Sequence, residues 1–140
     1  MSREVCGDSE EVIRGITNAH FQEGEVSTHF LEDVAASVNR LCVTDVAESI
    51  SIFKRTIERN DVVLCAYATF LHSQLKAETA DYVKQNKPLS KLGFTIQIEI
   101  DPKPDNRGHA EIMPKVTRGL ANHLYIHNLF TINTNLRAFS

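Results

Sequence analysis

Between residues 94 and 100 the chain reads Phe-Thr-Ile-Gln-Ile-Glu-Ile, and this strict alternation restricts the fold more than any other stretch. Successive side chains of a strand point to opposite faces. The segment therefore belongs in a sheet with Phe94, Ile96, Ile98 and Ile100 on a core and Thr95, Gln97 and Glu99 in water. Such a sheet needs a layer of other structure over its apolar face. The residues 44–60 offer one. Val46, Ile50, Phe53 and Ile57 recur at helical spacing. Thr44 is expected to cap that helix. Asp45 and Glu48 stand at its positive end, and Lys54, Arg55 and Arg59 at its negative end. The following run, Val62 to Phe70, is apolar, β-branched and aromatic, which suits a strand buried on both faces.

The rest of the chain alternates in the same way. Strands are expected over 12–17 and 34–43, with a loop containing Gly24 over 22–26. A helix over 73–86 should stop at Asn86-Lys87-Pro88. A short returning strand is expected at 109–113, and Pro114 should open a helix running through Val116, Leu120 and Leu124. The order β, β, α, β, α, β, β, α predicts an α+β or α/β fold: a two-layer sandwich, a mixed sheet with two to three helices packed on it. If 34–43 and 62–70 are neighbours, the helix between them is a crossover and the two strands run parallel. A chain of 140 residues fits one domain, 1–140, with 1–11 and 129–140 expected to be poorly ordered.

The formal net charge of −3 argues against nucleic-acid binding through bulk charge, leaving only a local patch for it. Residues 1–33 hold eight acidic and two basic side chains. They are expected to form a solvated acidic surface, or to cover a basic face of this chain or of a partner. Three cysteines, Cys6, Cys42 and Cys65, form no CxxC motif and fit a reducing compartment. The first residues have no apolar signal core, and Val62 to Leu71 is too short to span a bilayer. A cytoplasmic protein without a membrane segment is the expectation.

The segment Asp101-Pro-Lys-Pro-Asp-Asn-Arg-Gly-His109 gathers charged, amide and imidazole groups directly after the alternating strand. Its prolines, Asp-Asn and Arg-Gly describe a tight exposed turn, and loops at strand ends commonly carry sites. Arg107 can bind a phosphate or carboxylate through two N–H groups. Asn106 can orient that ligand, and His109 can act as acid or base near neutral pH. Arg14, His20, Ser37 and Arg40 can converge with Arg107 and His109 on one sheet edge. In that arrangement His109 and His20 are the catalytic candidates, and Arg14, Arg40, Asn106 and Arg107 hold the ligand. An Arg14 strand followed by a Ser/Thr step resembles the NAD sites of ADP-ribosyltransferases over those two short steps. No glutamate can be assigned to complete such a site, and the chain is short for that fold.

Phosphate-loop, dinucleotide and nucleophile-elbow motifs are absent from the sequence. Asp101, Asp105 and His109 are evenly spaced, but the prolines forbid the helix that would bring them together. His123 and His127 share a helix face without a third ligand in sequence, and Leu124 stands where zincin chemistry needs glutamate. No metal site and no cofactor are assigned. Two functions follow as expectations. One is a small binding or accessory module that contacts a partner protein or phosphate-bearing ligand through 101–109. The other is a nucleotide- or RNA-directed hydrolase or transferase that uses His109 with Arg107, Arg14 and Arg40. A second copy of the chain is a further candidate partner, through the apolar tail residues Leu129, Phe130 and Ile132.

Overall fold

The computed structural model describes residues 3–28, 30–32 and 36–136. Along the chain come β1 (Glu11–Thr17), a 3-10 turn (Asn18–His20), β2 (Phe21–Gln22), β3 (Glu25–Val26) and β4 (Ala36–Arg40). Then follow α1 (Val46–Ile57), β5 (Leu64–Leu71), α2 (His72–Lys84), α3 (Lys87–Leu92) and β6 (Gln97–Ile100). β7 (His109–Met113), α4 (Arg118–Ile126) and β8 (Thr131–Asn133) complete the order. The fold is α+β. Six strands form one sheet in the order β6-β7-β4-β1-β5-β8, and every neighbouring pair is antiparallel. β4 and β5 run in the same direction, but β1 lies between them, so the parallel pairing conditional on their being neighbours does not form.

Strand parity distributes the side chains over two faces. Val12, Val38, Ala66, Phe70, Ile98 and Ile112 join Leu75 of α2 and Leu120 and Leu124 of α4 in the main core. Ile13 and Tyr67 turn to the opposite face, where Ile50 and Phe53 of α1 cover them. A register shift between Ile16 and Thr17 aligns Thr17 with Leu64, and Leu64 packs under α1 as well. α1 thus covers the β1–β5 half of its face. The β4–β7–β6 half of that face carries Ser37, Asn39, His109, Glu111, Gln97 and Glu99. This is the wet face that the alternation at 94–100 requires.

Several boundaries differ from the sequence reading. Asp45, not Thr44, caps α1, accepting from Glu48 N at 2.8 Å. Thr44 is fully buried and bonded to Asn39 and Ser49. The segment at 21–26 is a hairpin, because Glu23 (φ 53°) and Gly24 (φ 79°) both adopt the left-handed conformation of a tight two-residue turn. Asn86 ends the α2 region and also caps α3, with Pro88 in its first turn. Thr117, not Pro114, opens α4. The expected strand at 34–43 is shorter; of its first residues, 34 and 35 lie outside the described residues.

The ends of the chain are tied to the sheet where they are described. Val5 bridges Glu99 on the outer strand, and Cys6 is buried. The buried His72 fastens this segment: Nδ1 faces the carbonyls of Cys6 (3.1 Å) and Gly7 (3.3 Å), and Nε2 accepts from Ile98 N at 3.0 Å. At the other end β8 pairs with β5. Phe130 packs edge-on against Phe30 (4.8 Å) and Phe70 (5.2 Å), and Leu129 is buried. These apolar tail residues pack on the core of their own chain. The acidic first third is also used internally: Glu10 pairs with Arg40, Asp8 with Lys76 and Glu32 with Arg118. Among the described residues no helix is long and apolar enough to cross a membrane.

Candidate functional site

A cleft of about 890 Å³ opens where α1 stops covering the sheet. That volume is within the range of small-molecule sites. Phe53, Thr56 and Ile57 of α1 line it on one side, Lys103, Asp105 and Asn106 on the other, and Ser37 and His109 between. The β1–β4 ladder stops at Ile13↔Asn39. Beyond it Arg14 occupies the opening: Nη1 donates to Ser37 O at 2.7 Å and Nε to Phe30 O at 3.0 Å.

The loop that closes the far wall is held by a buried polar network. Asn106 and Asn39 exchange two amide hydrogen bonds of 2.8 and 2.9 Å. Asn39 also donates to Thr44 Oγ1 at 3.0 Å, and Thr44 meets Ser49 Oγ at 3.0 Å. Arg40 N donates to Gly108 O at 2.8 Å. Gly108 has no alternative here, because a Cβ would stand 2.7 Å from Thr44 Oγ1. α1 reaches the loop through Arg55, which donates to Asp105 O at 3.2 Å.

Asp101 and His109 face each other across the loop, and Asp101 N donates to His109 O at 3.0 Å. The His109 ring lies with Nδ1 2.8 Å from the Asp101 carbonyl oxygen and 3.3 Å from its carboxylate Oδ2. A carbonyl only accepts, so Nδ1 carries the proton and Nε2 presents its lone pair. That lone pair faces Ser37 Oγ at 3.2 Å. Ser37 is exposed, whereas the imidazole is only 13% accessible. A hydroxyl and an imidazole thus stand in sequence, and the imidazole is held by the Asp101 main-chain carbonyl with the Asp101 carboxylate beside it. Lys103 bonds the Asp101 carboxylate and, with Arg3 nearby, holds its pKa below the usual range, so it is anionic at neutral pH.

Arg14, His20, Asn106 and His109 line this one cleft, and the Asn106 amide is bonded to Asn39 within its wall. Arg40 and Arg107 do not line it. Arg40 forks onto Glu10 at 2.7 and 3.1 Å, because the register sets it opposite Val12 at the start of β1. Arg107 is exposed on the loop outside the cleft. In their place the cleft carries Arg59 and Lys103, which sequence reasoning missed. Asp101 could have been found as the partner of His109, since a strand, a proline-bounded turn and a returning strand set their positions opposite. No protein-family model, no curated protein and no solved structure matches the chain, so the resemblance of the Arg14 strand to NAD sites receives no support from known proteins.

Proposed function

We propose that the chain is a hydrolase of esters borne by small anionic molecules, with Ser37 as nucleophile and His109 as its base. The observation that carries this reading is the Ser37–His109–Asp101 array opening into a cleft. Nucleophile and base stand at the outer limit of hydrogen-bond reach, and a third group orients the base. Ser37 Oγ bonds to the ester carbonyl carbon as its proton passes to Nε2 of His109. The carbon–oxygen bond to the leaving alcohol breaks, and the alcohol takes that proton. Water then repeats the attack on the acylated Ser37 with His109 again as base, releasing the acid. Arg14, which donates to the Ser37 main-chain carbonyl, adds positive charge to the same cleft, which favours the negative charge that develops on the ester carbonyl oxygen. Arg59 supplies cationic lining that favours a phosphate- or carboxylate-bearing substrate of nucleotide size, while Lys103 in the same wall is paired with Asp101. Three cysteines without a disulfide suit a cytoplasmic setting.

Turnover of p-nitrophenyl acetate and of its anionic succinate analogue tests the reading. The native chain is expected to hydrolyse the succinate faster, and Ser37→Ala to fall to background with both. Equal turnover by the native chain and Ser37→Ala overturns it. Arg107 supports a second reading, a module that binds a phosphate-bearing ligand or partner protein through 101–109, since it is exposed at that loop with no partner among the described residues. A thermal shift with a nucleoside diphosphate that Arg107→Ala abolishes and Ser37→Ala leaves intact would favour the module.

A further inference from the structure

We infer that Glu78, His123 and His127 form a zinc site that joins α2 to α4. His123 and His127 are four residues apart at the end of α4 and share a face. Their rings lie 4.2 Å apart, tilted by 34°. The carboxylate that the sequence around them lacks comes from α2. Glu78 Oε2 is 3.4 Å from His123 Nε2 and 4.0 Å from His127 Nδ1, and the three donor atoms lie within 4.8 Å of one another. Tetrahedral zinc with bonds of about 2.0–2.2 Å separates its ligand atoms by roughly 3.3–3.5 Å. The Glu78–His123 edge already has that length. The longer edge ends on His127, whose side chain is 53% exposed and free to turn inward.

A second observation points to a missing occupant. The His123 side chain is nine-tenths buried, and its Nε2 is shielded from solvent without a hydrogen-bond partner among the described residues. A buried polar atom in that state is rare and calls for an explanation. A cation at the Glu78 carboxylate would give that nitrogen its partner. The site also sits at the C-terminal end of α4, where the helix dipole favours positive charge. Two nitrogens and one carboxylate oxygen suit zinc among divalent ions and leave a fourth position for water. The other cluster of ligand-type residues, Asp101, His109 and Glu111, is different: Arg3 and Lys103 already neutralise its carboxylates.

Titration of the full chain with zinc chloride, followed by calorimetry and by melting temperature, tests the site. One equivalent should bind and raise the melting temperature. Glu78→Gln, His123→Gln and His127→Gln should each weaken binding by at least about tenfold, and circular dichroism checks that each variant is folded. Cobalt(II) should give visible d–d bands without the near-ultraviolet thiolate band that binding at cysteines would add. Absence of binding, binding that survives Glu78→Gln and His127→Gln unchanged, or a thiolate band each overturns the assignment. Ser37→Ala is expected to bind zinc like the native chain, so this result is independent of the ester-hydrolase reading.

Discussion

Asn106 lies in a sequence that any reader would assign to a turn, and it does lie in one. The burial of its amide against Asn39 is invisible in the sequence, because the partner is 67 residues away. Asn106→Leu leaves the Asn39 amide without its partner in a buried place and is expected to destabilise the chain by about 2–3 kcal/mol, read as a lower urea midpoint. Gly108→Ala should lower the midpoint as well, since Thr44 Oγ1 is held on two sides and cannot withdraw. His109 could be picked out from loop composition and the usual chemistry of imidazole. Ser37 could be placed near His109 from sequence, but not as the partner of its ring, because that depends on β7 pairing directly with β4. Residue type alone makes Arg40 and Arg107 candidates for holding a ligand. A guanidinium is just as suited to a fixed carboxylate, and for Arg40 the strand register brings it to Glu10, whereas Arg107 lies exposed on the loop outside the cleft.

At the scale of elements, periodicity carried most of the information. α1, β5 and the β6 ladder follow from spacing, although β5 starts at Leu64 with Val63 exposed before it and β6 starts at Gln97. Elements fixed by a few backbone angles did not show. The β2–β3 hairpin depends on Glu23 adopting a left-handed conformation, which its residue type does not advertise. β8 is three residues long and exists through its pairing with β5 and the contacts of Phe130. Phe130→Ala should therefore cost about 3 kcal/mol in denaturant unfolding, a large effect for a residue near the chain end. The junction of β1 with β4 makes a pH prediction. Arg40 and the Gly7 N–H hold the Glu10 carboxyl down to about 2, against an ordinary 4.5. The unfolded chain thus takes up the proton first as pH falls. The contribution of this pair is complete above pH 4.5 and is lost as pH falls toward 2. Solvent screening at this partly exposed pair limits it to about 1–2 kcal/mol. Glu10→Gln should lower stability at neutral pH and flatten the acid limb of a stability–pH curve. An unchanged acid limb contradicts the assignment.

Over the whole molecule the decisive feature is asymmetry between the sheet faces. α2 and α4 cover one face, and α1 covers half of the other, so a cleft forms at the edge of α1. A two-sided strand and a one-sided strand in the same sequence foretold both a covered and a wet face. Where α1 would stop could not be read, because that depends on β1 entering the sheet between β4 and β5. The uncovered half brings Ser37 from β4, His109 from β7 and Asp101 from the loop into one line. Reaction with a fluorophosphonate probe, followed by peptide mapping, tests that line most directly. An adduct on Ser37 of the native chain is expected, formed at least about 100-fold more slowly in His109→Gln and at an intermediate rate in Asp101→Asn. An unmodified Ser37 in the native chain, or an undiminished rate in folded His109→Gln, would contradict it.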